Sequence, residues 1–201
     1  MKKETKRALI SVYDKTGIVE FAKALVEMGF EIVSSSGTYK KLSEAGIPVT
    51  EVTEITKFPE CLSDRVKTLN PLIQGGILAD RDDKDHQKEV EENGIPYIDI
   101  VVLNLYPFEK TVSKPGATLS DSIKQTDIGG PTNIRAAAKN FKYVIVVIDP
   151  KDYDRVLEEM KANNGATTLR TRFELARKVW RTTAAYDTAI SNFWDGLEPP
   201  E

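Results

Sequence analysis

Histidine and cysteine are almost missing from these 201 residues: each occurs once, as His86 and Cys61. A lone cysteine excludes an internal disulfide framework, and with a single histidine a His/Cys zinc site is excluded as well. Such a composition suits a reducing, cytoplasmic compartment. No apolar run approaches the length of a membrane span. The charged start, Met1-Lys2-Lys3-Glu4-Thr5-Lys6-Arg7, has no signal-peptide core after it, because Asp14-Lys15 interrupts the short run from Ala8. Positive charge is not in excess either. The 28 Lys and Arg against 31 Asp and Glu leave a net −3, which argues against non-specific nucleic-acid binding. Internal repeats and low-complexity tracts are absent.

What remains is a globular composition, 40% hydrophobic and 29% charged, long enough for one large domain. Ala8-Leu9-Ile10-Ser11-Val12 is rich in strand formers. Ile18, Phe21, Ala22, Leu25 and Val26 then recur at helical spacing, with Gly29 placed to cap the helix. Phe30-Glu31-Ile32-Val33 is a second strand, a short helix runs to Ala45-Gly46, and residues 47–52 are a third extended segment. Ile98 to Leu103 is the strongest strand and is expected to be central, and Val144 to Ile148 is a fifth. Helices are expected over residues 152–162 and 168–190. Residues 56–80 read as a long, partly irregular connection, and residues 80–92 as a solvated, mixed-charge helix face. Strands that are continuously apolar and alternate with helices predict a parallel sheet covered on both faces.

Ligands of such sheets lie at the carboxyl ends of the strands. Asp14-Lys15-Thr16-Gly17 offers a cation, a hydroxyl and backbone N–H groups at a helix start, which suits a phosphate or serves only as a cap. Ser35-Ser36-Gly37-Thr38 has the same two readings. Neither loop matches a P-loop or a dinucleotide fingerprint, which disfavours an ATPase or an NAD enzyme. In Arg65-Val66-Lys67-Thr68-Leu69-Asn70-Pro71, alternation puts Arg65 and Lys67 on one side of an extended segment, as phosphate or carbonyl ligands or as a solvated basic pair. Asn104-Leu105-Tyr106-Pro107-Phe108 carries an amide and a phenol that can bond a planar polar group, or an aromatic proline turn.

The densest stretch is Asp127-Ile128-Gly129-Gly130-Pro131-Thr132, followed by Arg135-Ala136-Ala137-Ala138-Lys139-Asn140. A helix entry of this kind favours an anion or developing negative charge. Asp127 and Lys139 offer a proton-transfer pair, Lys139 reading as buried among alanines. An unbroken helix from Pro131 to Lys139 would span roughly 12 Å, so either the helix is short and bends back or the two do not touch.

Together with Gly75-Gly76-Ile77-Leu78-Ala79 and Thr183-Ala184-Ala185-Tyr186-Asp187, these segments resemble the IMP cyclohydrolase domain of the bifunctional AICAR transformylase/IMP cyclohydrolase family, from about Arg7 to Phe193. The resemblance implies a methylglyoxal-synthase-like α/β fold: a three-layer sandwich with a mostly parallel five-stranded sheet, plus C-terminal helices. It implies a homodimer that closes the purine ring of FAICAR, 5-formamido-1-(5-phosphoribosyl)imidazole-4-carboxamide, to IMP and water, with no metal and no organic cofactor. By that analogy Lys67, Tyr106, Asp127 and Lys139 line the reacting base, and N–H groups near Ile128 and Gly129 form an anion hole. Asp14, Lys15, Thr16 and the Ser35, Ser36, Gly37, Thr38 loop hold the 5′-phosphate, with Arg65, Thr68 and Asn104 nearby. The domain is expected over residues 1–195, with 196–201 a linker-like tail and the transformylase a separate domain or chain. The alternative is a non-catalytic phosphometabolite- or nucleotide-binding domain of the same fold. A methylglyoxal-synthase-type lyase is disfavoured, because its acid–base work needs histidine and His86 lies in the charged segment.

Departures from the family pattern are concentrated at histidines. Asn70, Gln74, Phe141 and the Arg181-Thr182 region stand where the family usually has histidine, Tyr13 where serine is common, and Ser36 where glycine is common. Asn and Gln hydrogen-bond like a neutral imidazole but do not titrate.

Overall fold

The computed structural model describes residues 5–59, 61–62 and 66–198. The chain opens with β1 (Lys6–Val12), α1 (Ile18–Glu27), β2 (Phe30–Ser34), α2 (Ser36–Glu44) and β3 (Val49–Glu51). Next come α3 (Val52–Thr56), α4 (Pro71–Leu78), α5 (Lys84–Glu92) and β4 (Ile100–Asn104). The chain continues through α6 (Phe108–Val112), α7 (Leu119–Gln125), α8 (Gly129–Lys139) and β5 (Ile145–Val147), then a 3₁₀ turn, α9 (Tyr153–Ala162) and α10 (Leu169–Asp195).

The five strands form one all-parallel sheet in the order β3-β2-β1-β4-β5. Its inner strands are apolar on both faces: Ala8, Leu9 and Ile10 of β1 and Ile100, Val101 and Val102 of β4 are all fully buried. The strongest apolar run therefore forms an interior strand, as expected, but the middle strand of the five is β1. The chain winds outward from β1 through β2 to β3, then returns to lay β4 and β5 on the other side of β1. The two windings place their helices on opposite faces. Helix α1 contacts α2 and α9 on one face, and α8 packs against α4 and α10 on the other. Buried Ala136, Ala137 and Ala138 give α8 a thin inner surface, which lets it lie close to β4 and β5.

Two stretches gain helices and one helix end is corrected. Residues 56–80 are partly irregular, as expected, but Pro71-Leu72-Ile73-Gln74-Gly75-Gly76-Ile77-Leu78 within them is helical with Ile73, Gly76 and Ile77 buried. The paired glycines that look like a turn are there for space: a Cβ on Gly76 would lie 2.1 Å from the Pro96 carbonyl oxygen. Asn70 caps this helix by accepting from the Leu72 N–H at 2.9 Å, and Pro71 sits in the first turn, where its missing N–H has no partner to lose. Residues 108–125 form two short helices that periodicity alone does not reveal. The last helix runs on to Asp195 rather than stopping near residue 190. The mixed-charge segment behaves as read, since α5 buries no residue.

Candidate functional site

The change of winding direction leaves a crevice at the carboxyl ends of β1 and β4, as expected for an open α/β sheet. It is a cleft of about 920 Å³. The ends of β1, β2 and β4 form its floor, α2 and the 67–69 segment one side, and α7 with the Asp127–Gly130 turn the other.

At the β1/β2 end, Lys15, Ser35, Ser36, Gly37 and Thr38 line the cleft. Lys15 Nζ donates to the Val12 and Tyr13 carbonyls at 3.2 and 3.4 Å. A Cβ on Gly37 would lie 3.9 Å from that ammonium, so the lysine sits over the first turn of α2. Thr38 is not a ready ligand: its hydroxyl accepts from the Val12 N–H at 3.0 Å and faces the Val12 carbonyl at 3.1 Å. Ser36 has φ of 49°, in the left-handed region that disfavours a Cβ, and its hydroxyl is hydrogen-bonded to the Lys67 ammonium.

Asp14, Thr16 and Asn104 do not face this cleft in the way the sequence suggests. Asp14 Oδ1 accepts from the Thr16 N–H and hydroxyl at 3.0 and 2.7 Å, and these bonds hold its carboxyl below the usual range. Neither residue lines the cleft; Asp14 instead borders an adjacent depression shared with Tyr13, Lys15 and Asn104. Asn104 does line the cleft, but its amide is committed to the β1 loop. Its Oδ1 accepts from the Tyr13 and Asp14 N–H groups at 2.7 and 2.9 Å, and its Nδ2 donates to the Asp14 carbonyl at 3.1 Å. Arg65 lies outside the described residues.

At the other end Lys67, Thr68, Tyr106, Asp127, Ile128 and Gly129 share the cleft wall. The Tyr106 ring meets Tyr13 edge-on at 5.2 Å, and Tyr106 is 48% exposed toward the opening. Asp127 is held from several sides. Its Oδ1 accepts from the Gly130 N–H at 2.9 Å, and its own N–H donates at 2.8 Å to the hydroxyl of Tyr186, which in turn donates to the Gln125 carbonyl at 3.2 Å. Any side chain at position 130 would collide with the carboxylate, since a Cβ there would lie 2.2 Å from Asp127 Oδ2. Burial pushes the Asp127 carboxyl above its ordinary value, partly offset by the Gly130 hydrogen bond. Gly130 is thus committed to Asp127 and Pro131 has no N–H, so Ile128 and Gly129 are the turn's candidate donors to an anion.

Lys139 is not in this cleft. It is exposed at the last turn of α8, while Asp127 precedes the first, and the helix between them is unbroken. At about 1.5 Å per residue the two helix ends are roughly 15 Å apart. The reading of the lysine as buried is corrected, and of the two alternatives for the helix the second holds: it does not bend back, and within a subunit the two side chains do not touch. The alanines that suggested burial face the sheet, and position 139 lies on the opposite face of the helix.

The structure also adds residues that sequence reading missed. Ile123, Lys124 and Gln125 of α7 and Thr126 just after it line the cleft, as does Trp194 of α10. Trp194 Nε1 donates to the buried Ser122 hydroxyl at 2.8 Å and ties the two helices together. The signal for α7 was available: Thr118 and Asp121 form a capping box. Among the described residues no group of His, Cys, Asp and Glu could hold a metal ion, and no helix is long and apolar enough to cross a membrane.

The MGS-like domain family matches residues 17–132, and the AICARFT/IMPCHase bienzyme family matches residues 137–199. The bifunctional purine biosynthesis protein PurH of Lysinibacillus sphaericus (strain C3-41) is 57% identical over 197 residues, which is 98% of this chain and 39% of that protein. The protein of the same name from Neisseria meningitidis serogroup A / serotype 4A (strain DSM 15465 / Z2491) is 55% identical over 192 residues, 96% of this chain and 36% of that protein. The chain thus spans less than two fifths of the length of either relative. A solved structure described as "Crystal structure of ForH" superposes with a TM-score of 0.84 at 34% identity, covering 95% of this chain and 100% of that one.

Proposed function

We propose, from the premise that this chain belongs to the MGS-like domain family and corresponds to the IMP cyclohydrolase domain of the AICARFT/IMPCHase bienzyme, that its cleft converts FAICAR to IMP and water. The observation that carries this reading is the company the cleft keeps. Lys15 and the Ser35–Gly37 turn share one opening with Lys67, which bonds Ser36, and with Tyr106 and the Asp127 turn, so that groups suited to a phosphate and groups suited to a reacting base line the same cleft.

The reaction joins the carboxamide nitrogen to the formyl carbon, then breaks the bond from that carbon to its oxygen while a C=N bond forms to the former formamido nitrogen, and the departing water takes up one proton for each of the two lost from the two nitrogens. The amide is a weak nucleophile, so orientation and charge stabilisation carry most of the catalysis. Lys67 and Tyr106 orient and polarise the carboxamide. The Ile128 and Gly129 N–H groups receive negative charge developing on the formyl oxygen. Asp127, with its carboxyl raised by burial, delivers a proton to the departing oxygen and takes one from the attacking nitrogen. Lys139 lies outside the cleft, so no step is assigned to it. Lys15 and the α2 turn bind the 5′-phosphate, with Arg65 and Thr68 nearby. The domain spans residues 1–195, works in the cytoplasm as a homodimer, and acts with a transformylase carried on a separate domain or chain.

Purified protein incubated with FAICAR should form IMP, followed by absorbance. Tight IMP binding with no turnover would overturn the reading in favour of a nucleotide-binding domain.

A further inference from the structure

We propose that Gln74 and Asn133 form a polarity relay that fixes the Thr68 hydroxyl as a hydrogen-bond donor into the cleft, for an oxygen of the bound nucleotide. The identity of that ligand rests on the reading above; the direction of the relay does not.

The argument starts from an atom whose polarity is not in question. The Thr68 backbone carbonyl can only accept, and the group of Gln74 that faces it at 3.1 Å must therefore be Nε2. A rotated amide would set two carbonyl oxygens against each other. The same Nε2 lies 2.7 Å from the side chain of Asn133, which must present Oδ1 to it. Asn133 is 1% exposed and has no water to turn toward, so its Nδ2 is left facing the Thr68 hydroxyl at 2.8 Å. Thr68 Oγ1 therefore accepts from Asn133, and its own proton points elsewhere. Among the described residues no acceptor is in place for that proton. The open direction is the cleft, which Thr68 lines beside Lys67 and opposite Gly129, where a Cβ would lie 3.6 Å from the hydroxyl.

The chemical consequence is specific. A threonine hydroxyl is ordinarily free to donate or accept. Here it is held as a donor, suited to a phosphate, carbonyl or developing oxyanion and unsuited to an N–H. None of the three relay groups titrates, so the setting is independent of pH. Gln74 serves the relay because one amide nitrogen reaches two acceptors, which a single neutral imidazole N–H does not. Gln74 and Asn133 are positioning residues that act through Thr68. They also tie the 67–69 segment to the first turn of α8, and so tie Lys67 to the Asp127 turn.

Asn133→Asp tests the relay with almost no change in shape. As a carboxylate it accepts from both neighbours and draws the Thr68 proton out of the cleft. As a neutral acid it donates again, as asparagine does. At pH 8 the variant should lose about tenfold in kcat/KM for FAICAR relative to wild type, the scale of one lost hydrogen bond. The ratio of variant to wild type should recover as pH falls, because burial raises the pKa of the new carboxyl. Lys67 and Asp127 also face the cleft, but they are common to both proteins and cancel in that ratio. In a Thr68→Val background the pH-dependent part should vanish. A loss that does not change with pH, or one that persists unchanged in Thr68→Val, overturns the relay as a polarity device. Neutron crystallography of the wild-type protein in heavy water decides the same point whether or not Asn133→Asp folds. The Thr68 deuteron should point into the cleft, and one directed at Asn133 overturns the proposal. If wild type binds IMP but leaves FAICAR unreacted, the assigned reaction fails while the neutron map still decides the relay.

Discussion

At the end of the cleft formed by β1, β2 and α2, polar side chains are committed to the protein's own backbone; at the end formed by α4 and α8, they are committed largely to one another. Thr38 holds Val12, and Asn104 holds the Tyr13–Asp14 segment. At the far end Gln74 bonds Asn133, Asn133 bonds Thr68, and Gly130 stays bare so that the Asp127 carboxylate can fit. The first arrangement stiffens the loops that carry the N–H groups and the ammonium proposed to hold a phosphate. The second sets the direction of individual protons. Binding and proton transfer thus depend on different kinds of support within one cleft, and substitutions should separate them.

The sharpest separation should come from Asp127→Asn, which keeps the acceptor for the Gly130 N–H but carries no exchangeable acid proton. It should lower kcat at least 10²-fold with little change in KM, measured by initial rates of IMP formation. Lys15→Ala at the opposite end should do the reverse, raising KM about tenfold while kcat stays within a few-fold of wild type. Equal effects on both constants from both variants would erase the distinction. Ser36→Gly bridges the two ends. It relieves a left-handed residue and should raise unfolding stability by about 1 kcal/mol in urea titration, while the lost Lys67 contact weakens substrate binding a few-fold.

The smallest effect concerns pH. The raised Asp127 carboxyl means that the folded protein holds that proton at pH values where the unfolded chain has released it. Stability on this account is greatest below the ordinary carboxylate range and falls as pH rises through the window up to the raised value. Asp127→Asn should be more thermostable than wild type at neutral pH, and the gap in Tm should close as the solution is acidified into the carboxylate range. A gap that does not change with pH would sever the link between burial and proton affinity at this residue.

Most of the fold was legible because its signals are local. The apolar runs of β1, β2 and β4 and the periodic faces of α1 and α9 need no distant partner to be recognised. Helix α4 was not legible, because Gly75-Gly76 breaks helices in general and serves here only to admit the backbone at Pro96. The cleft was half legible. Lys15, Ser36, Lys67, Tyr106 and Asp127 stood out by type and by family resemblance, and the fold brings them to one opening. Whether a polar side chain faces the ligand or its own backbone was not legible for Asn104, Thr38 or Asp14, since that depends on atoms up to 91 residues away. Gln74 drew notice only as a missing histidine, and Asn133 drew none. Their significance lies in a contact between α4 and α8 that no spacing in the chain encodes. Lys139 misled for a simpler reason: three alanines beside it mark one face of α8, and the lysine belongs to the other.

Helix α10 reaches several parts of this assembly. Arg172 donates to the Phe141 and Thr167 carbonyls near its start, Tyr186 receives the Asp127 N–H, and Trp194 fastens Ser122 near its end. During synthesis the sheet and its inner helices leave the ribosome first, and Tyr186 emerges 59 residues after the aspartate it steadies. The Asp127 turn is therefore complete only once α10 has been made and has docked.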